Sequence, residues 1–298
     1  MQFFFEVLIT GLLSGVMYAL VALGFVLIYK ASGVFNFAQG AMVFFAALTT
    51  VALQERFGIS LWIAIPITMA VMIAFGFLTE RIVLRPLVNQ NEIVLFMATI
   101  GLTFFLEGFA QLVWGSGVRA LDLGIPDEPI AAILDSAGMV VSKFDVTAAV
   151  ICGVLVAALA VLFNKTKIGR ALRAVADDHQ AALTVGIPLQ HVWGIVWAVA
   201  GFVALVAGLL WGSRSGVQFA LTFVALKALP VLILGGFTSV PGAIVGGLII
   251  GATEKLAEVY LGPYVGGGIE GWFPYVLALL FLVVRPEGLF GEKIIRRI

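Results

Sequence analysis

Apolar stretches of membrane-spanning length recur from one end of this chain to the other, and they restrict it to a helical bundle embedded in lipid. A helix crossing about 30 Å of hydrocarbon takes roughly 20 mostly apolar residues. Clear spans of that size run near 7–29, 60–79, 93–114, 143–163 and 192–212. Other apolar segments are less regular: 34–53 follows a polar break, 223–234 is too short to cross alone, 243–260 is rich in glycine and 272–284 is compact. Together they predict an all-α polytopic transmembrane helical bundle of about nine crossings, or about 8–10 spans including broken or partial helices. With 62% hydrophobic and 11% charged residues among 298, too few polar groups remain to cover a water-soluble globule. The whole of 1–298 reads as a single membrane domain. Because apolar blocks continue to the C-terminus, the first is expected to be a retained helix rather than a cleaved leader.

Lysine and arginine positions set the orientation, since cytoplasmic loops retain positive charge during insertion. With the polar island 164–191 placed inside, Lys30, Arg81, Arg85, Lys165, Lys167, Arg170, Arg173, Arg285, Lys293, Arg296 and Arg297 all fall inside, and Arg56, Arg119, Lys143 and Arg214 outside. The N-terminus is then external and the C-terminus cytoplasmic. The longest external loop, 115–142, carries Asp122, Asp127, Glu128 and Asp135 and reads either as a surface loop or as a meeting place for a soluble partner. Net charge is zero, so the overall balance identifies no nucleic-acid partner.

The island itself, NKTKIGRALRAVADDHQAALTVGIPLQH, has helical logic from Gly169 to Val185. Leu172, Val175, Ala176 and Leu183 recur at helical spacing, while Arg170, Arg173, Asp177, Asp178 and Gln180 take the other face. Gly186 followed by Pro188 is a stop signal. The predicted object is a short amphipathic helix outside the bilayer, either resting on headgroups or docked to a partner. Within it, Gln180-Ala181-Ala182-Leu183-Thr184-Val185-Gly186 resembles the EAA loop of ABC-importer permeases, in which small residues seat a helix in a groove of a nucleotide-binding subunit.

The resemblance extends along most of the chain. Val34-Phe35-Asn36-Phe37-Ala38-Gln39-Gly40, Glu80-Arg81-Ile82-Val83-Leu84-Arg85-Pro86-Leu87, the block from Leu234 to Ala243 (LGGFTSVPGA) and the tail Arg285-Pro286-Glu287-Gly288-Leu289-Phe290-Gly291 resemble, in order, four blocks of the branched-chain amino acid permease family. Two positions depart from that pattern: Gln180 replaces the usual acid, which bears on charge pairing at docking, and Gln39 stands where histidine is often found, which bears on cargo. The resemblance implies a bacterial inner-membrane, multi-pass permease forming half of a translocation pathway beside a second related permease or another copy. It implies two ATP-binding subunits and an extracytoplasmic solute-binding protein as partners. Leucine, isoleucine or valine would be the cargo, with other amino acids, amides or urea as alternatives. Arg170, Arg173, Gln180, Ala181, Ala182 and Gly186 would then couple the chain to the ATPase.

Broken spans point to a solute pathway, because non-helical backbone at membrane depth is tolerated only where it is buried in protein or lines a wet cavity. The first break is Lys30-Ala31-Ser32-Gly33, after which Asn36 and Gln39 stand three apart; with Phe37 and Gly40 they form one candidate pathway group. Their amides suit a polar solute, or equally a neighbouring backbone or helix. The second break holds Gly235, Gly236 and Ser239 after an apolar run of about 12 residues, which reaches only about 18 Å. Ser239 is expected to cap a new helix with Pro241 in its first turn, giving N–H groups for a carboxylate; the competing reading is a cytoplasmic turn between two tilted spans. Glycines also recur four apart, Gly11 with Gly15, Gly208 with Gly212, Gly242 with Gly246 and Gly247 with Gly251, a packing signal in lipid. Glu107 and Lys227 are ionisable residues inside apolar segments; a mutual ion pair is one reading, and the others have Lys227 reaching a headgroup and Glu107 protonated or facing water.

The chain contains no GxxxxGK[ST] loop, so ATP has to be handled elsewhere, and no enzymatic activity or cofactor is expected of it. His179 and His191 lie twelve apart with no cysteine nearby, and the single Cys152 is in an apolar segment, so no metal site is expected. A secondary transporter or channel for a small polar solute is the rival reading; the 164–191 island, which an uncoupled carrier does not need, separates the two.

Overall fold

The helices begin and end where apolar sequence meets polar or glycine-rich punctuation. The structure, a computed structural model, describes residues 2–87, 90–177 and 179–291. In chain order the helices are α1 (Gln2–Ser32), α2 (Gln39–Phe57), α3 (Leu61–Leu78), α4 (Glu92–Trp114), α5 (Ala131–Ala137), α6 (Lys143–Lys165), α7 (Lys167–Asp177), α8 (His179–Thr184), α9 (Leu189–Ser215), α10 (Val224–Gly235), α11 (Val240–Tyr260), α12 (Gly262–Val265) and α13 (Phe273–Val284). Among the described residues six helices are long and apolar enough to cross a membrane, and two shorter apolar ones are Phe219–Gly235 and Phe273–Val284. With the buried α2 they make up the all-α polytopic bundle expected. Gly58, left-handed at φ 64°, ends α2, and Asn91 caps α4 by accepting from the Ile93 N–H. Asp178, Lys293, Arg296 and Arg297 lie outside the described residues, as do the side chains of Asp177, His179 and Gln180.

Residues 23–123 and 158–225 form one compact unit. Its centre is α2, buried along Gln39–Leu53. This least apolar of the long helices is central because lipid tails reward a leucine as well as a protein interior does, so packing and hydrogen bonding decide which helix goes inside. Thr50 bonds Thr68 of α3 at 3.1 Å, and the Trp114 indole of α4 donates to Thr49 at 3.1 Å. Glycines bring α9 against its neighbours: a Cβ on Gly76 would stand 2.6 Å from Ala198 N, and one on Gly201 2.9 Å from Met72 O. The outward faces of α3 and α4 carry exposed Trp62, Phe104, Phe105 and Leu112, as a lipid-facing surface requires. At one end Arg56 donates to Val113 O and Trp114 O, and Arg119 pairs with Glu55 at 2.5 Å, so these two arginines are tied to the C-terminal ends of α2 and α4.

Residues 1–22, 124–157 and 226–298 form the second unit. Here the two four-apart glycine pairs meet each other. A Cβ on Gly11 would lie 2.6 Å from Gly251 O, and one on Gly247 2.6 Å from Gly15 O, so α1 and α11 touch backbone to backbone. α10 and α11 form a hairpin of the same kind, with Gly235 against Gly242 and Gly246 against Val231. α13 exposes Leu279, Leu280, Val283 and Val284. In the loop before α6, Ser142 bonds Asp127 and Lys143 pairs with Glu128 at 3.3 Å, so two of the loop's acids serve local structure.

Candidate functional site

The polar island is folded back onto the span that precedes it. Thr166 caps α7, accepting from Gly169 N at 3.1 Å, and Gly169 lies so close to Phe163 that a Cβ would run into its carbonyl. Arg173 reaches back and donates to Phe163 O at 2.6 Å and Asn164 O at 3.5 Å, supplying donors to carbonyls that the end of α6 leaves without helical partners. Leu172, Val175 and Ala182 are buried, whereas Arg170 and Ala181 are exposed. Leu183 does not share the buried face expected of it: it is 53% exposed, with Val185 at 73%. Gly186, at φ 82°, closes α8 with Gly186 N bonded to Leu183 O and Ile187 N to Ala182 O.

At the first break, α1 ends in a left-handed Gly33 whose N–H returns to Tyr29 O. Asn36 Oδ1 accepts from Ala38 N at 3.1 Å, which fixes its amide orientation. Asn36 Nδ2 therefore donates to Gln39 Oε1 at 3.2 Å, and Gln39 Nε2 is left against Gly24, buried with no hydrogen-bond partner. Both amides are fully buried. Phe37 is partly exposed, its ring edge-on to Phe96, and Gly40 packs against the Thr222 carbonyl where a Cβ has no room. A residue that the sequence reading missed holds this segment. Thr99 Oγ1 of α4 accepts from Phe37 N at 3.2 Å, and its proton serves Phe35 O at 3.1 Å or Phe96 O at 2.8 Å. A threonine inside an apolar span was the available signal.

The second break is a helical-hairpin turn. Ser239 caps α11 as its sequence predicts, accepting from Gly242 N at 3.0 Å, with Pro241 in the first turn. Gly236, at φ 100°, turns the chain, and the tail after α13 covers it: Leu289 N donates to Leu234 O at 2.8 Å and Phe290 N to Gly235 O at 3.1 Å. The final carbonyls of α10 are thus satisfied by the tail, and Gly235, Gly236 and Ser239 lie at the same end as that tail. This is the geometry of the alternative weighed from sequence, a turn between two spans.

Lys227 is paired with Glu254 rather than with Glu107, one of the partners weighed from sequence. Its Nζ lies 3.3 Å from Glu254 Oε1, which also accepts from Tyr18 OH at 3.1 Å, and it stands 5.9 Å from the centre of the Tyr18 ring. Glu254 was passed over inside the glycine-rich segment. Its signal was the stripe Gly247, Gly251, Glu254, Glu258, one face of a helix.

A family model described as Branched-chain amino acid transport system / permease component matches residues 7–285. The chain is 28% identical to the high-affinity branched-chain amino acid transport system permease protein BraD of Pseudomonas aeruginosa, over 99% of this chain and 98% of that protein. It is also 28% identical, with the same coverage, to the corresponding permease protein LivH of Salmonella typhimurium. The fructose import permease protein FruF of Bifidobacterium longum is 25% identical, over 83% of this chain and 69% of that protein. A family-model match running through the first three sequence blocks and nearly every span places the chain in the branched-chain amino acid transport permease family, whose members are membrane-embedded, non-catalytic subunits of ABC importers.

Proposed function

We propose that this chain forms one half of the translocation pathway of an importer for branched-chain amino acids, beside a second related permease or another copy of itself. Two ATP-binding subunits supply the energy, and an extracytoplasmic solute-binding protein delivers the cargo. The observation that carries the reading is the helical polar island of α7 and α8, clamped by Arg173 to the end of α6 and presenting exposed Ala181, Leu183 and Val185. ATP-driven closure of the partner subunits moves this pair as a lever, and a rigid-body shift of the spans opens the pathway alternately to each side. Arg170, Gln180, Ala182 and Gly186 belong to the same element. Asn36, Phe37, Gln39 and Gly40 are the pathway group we favour. Their closed amide pair fits a gate shut in this conformation, and Gly235, Gly236 and Ser239 serve as the hinge of the α10–α11 hairpin.

Near-complete coverage by BraD and LivH, against the shorter match to FruF, favours leucine, isoleucine or valine over a sugar. The test is uptake of labelled leucine by proteoliposomes holding the intact complex. Ala182→Glu, which forces a charge into a buried position, and Gly186→Pro, which is incompatible with φ 82°, are expected to abolish both uptake and binding-protein-stimulated ATP hydrolysis while the chain still inserts. Unchanged coupling in both variants supports the uncoupled carrier instead.

A further inference from the structure

The pair Lys227–Glu254 lies within the apolar helices α10 and α11. Glu254 is 14 residues into α11, about 21 Å along its axis, and Tyr18 is near the middle of α1. Side chains on a helix lean toward its N-terminus, so Tyr18 and Glu254, on antiparallel helices crossing at Gly15 and Gly247, lean toward each other. The glycine contacts already close that seam. A buried ion pair is seldom the cheaper way to hold two helices: replacing one by apolar residues is often neutral or stabilising by about 1–4 kcal/mol. An ionisable residue kept at this depth therefore calls for a functional account.

We propose that Lys227 is an intramembrane contact for the carboxylate of the transported solute, positioned by Glu254 and Tyr18; the proposal rests on the amino-acid reading of the cargo. The two members of the pair differ in access: the Glu254 side chain is 2% exposed, while that of Lys227 is 36% exposed. An ammonium has three donors, and Glu254 takes one. Glu254 supplies the counter-charge at low dielectric and fixes the direction of the lysine, and a carboxylate arriving at the open side of Nζ meets a charge-assisted hydrogen bond. A neutral sugar offers that site no counter-charge, so the contact sorts solutes by class after the binding protein has released them.

The experiment uses the intact complex in proteoliposomes with its binding protein. Lys227→Met is expected to lower leucine uptake at least tenfold, and Lys227→Arg to recover most of it. Lys227→Cys, in a Cys152→Ala background, is expected to react with a membrane-impermeant sulfonate thiol reagent in the absence of cargo, and saturating leucine is expected to slow that reaction at least fivefold. Wild-type uptake in Lys227→Met, an introduced thiol that the reagent never reaches, or labelling indifferent to leucine each overturns the assignment. A wild-type complex that moves no leucine overturns the cargo reading itself, a distinct result.

Discussion

The Arg173 guanidinium donates to the Phe163 carbonyl at 2.6 Å, so the first short helix of the polar island is bolted to the end of the span it follows. In the proposed mechanism this bond passes a displacement of α7 to α6. A hydrogen bond from a charged group contributes about 1.5–3 kcal/mol. Arg173→Ala is expected to reduce leucine uptake about tenfold while ATP hydrolysis by the complex persists, and Arg173→Lys to fall between. Paired measurements of uptake and hydrolysis on one preparation check this; proportional loss of both contradicts a coupling role.

Leu183 and Val185 are apolar, exposed and next to Gly186. If they seat in an ATPase groove, Leu183→Glu and Val185→Glu place a charge in a desolvated contact, at a cost of several kcal/mol. Co-purification of the ATP-binding subunit is expected to fail for both variants, with membrane insertion normal. Retention of the subunit at wild-type stoichiometry counts against this face.

The α1–α11 seam leaves no room for side chains at Gly15 and Gly251, whereas Gly108 and Gly153 face open space. Overpacking costs about 1–3 kcal/mol. Gly15→Leu and Gly251→Leu are expected to lower the thermal midpoint in detergent by several degrees and cut the monodisperse yield, while Gly108→Leu and Gly153→Leu leave both near wild type.

Thr99→Val keeps the shape of the side chain and removes the hydroxyl that serves Phe37 N and Phe35 O. Unpaired buried backbone groups cost about 1–3 kcal/mol each. The variant is expected to be less stable and slower in transport, with Thr99→Ser close to wild type. Equal behaviour of valine and serine at this position removes Thr99 from the account.

The spans were legible because hydrocarbon thickness is a fixed ruler, and five of them could be placed to within a few residues. The Ser239 cap was legible because its chemistry is local. What the sequence withheld depends on groups far apart in the chain. Glu254 could not be matched to Lys227 and Tyr18 without knowing how α1, α10 and α11 pack. The Leu289 and Phe290 N–H groups gave no hint that they would close the end of α10. The exposure of Leu183 depends on which neighbours pack against the island, and the periodic pattern alone does not name them.

The account stands on the short-helix pair being the place where ATPase motion enters this chain. A photoactivatable maleimide on Val185→Cys, in a Cys152→Ala background and in inverted membrane vesicles carrying the whole complex, tests it most directly. We predict a cross-link to the ATP-binding subunit whose yield changes when ATP is bound, together with loss of leucine transport once the link is made. An introduced thiol that reacts only from the extracytoplasmic side, or that cross-links to lipid alone, would contradict the account.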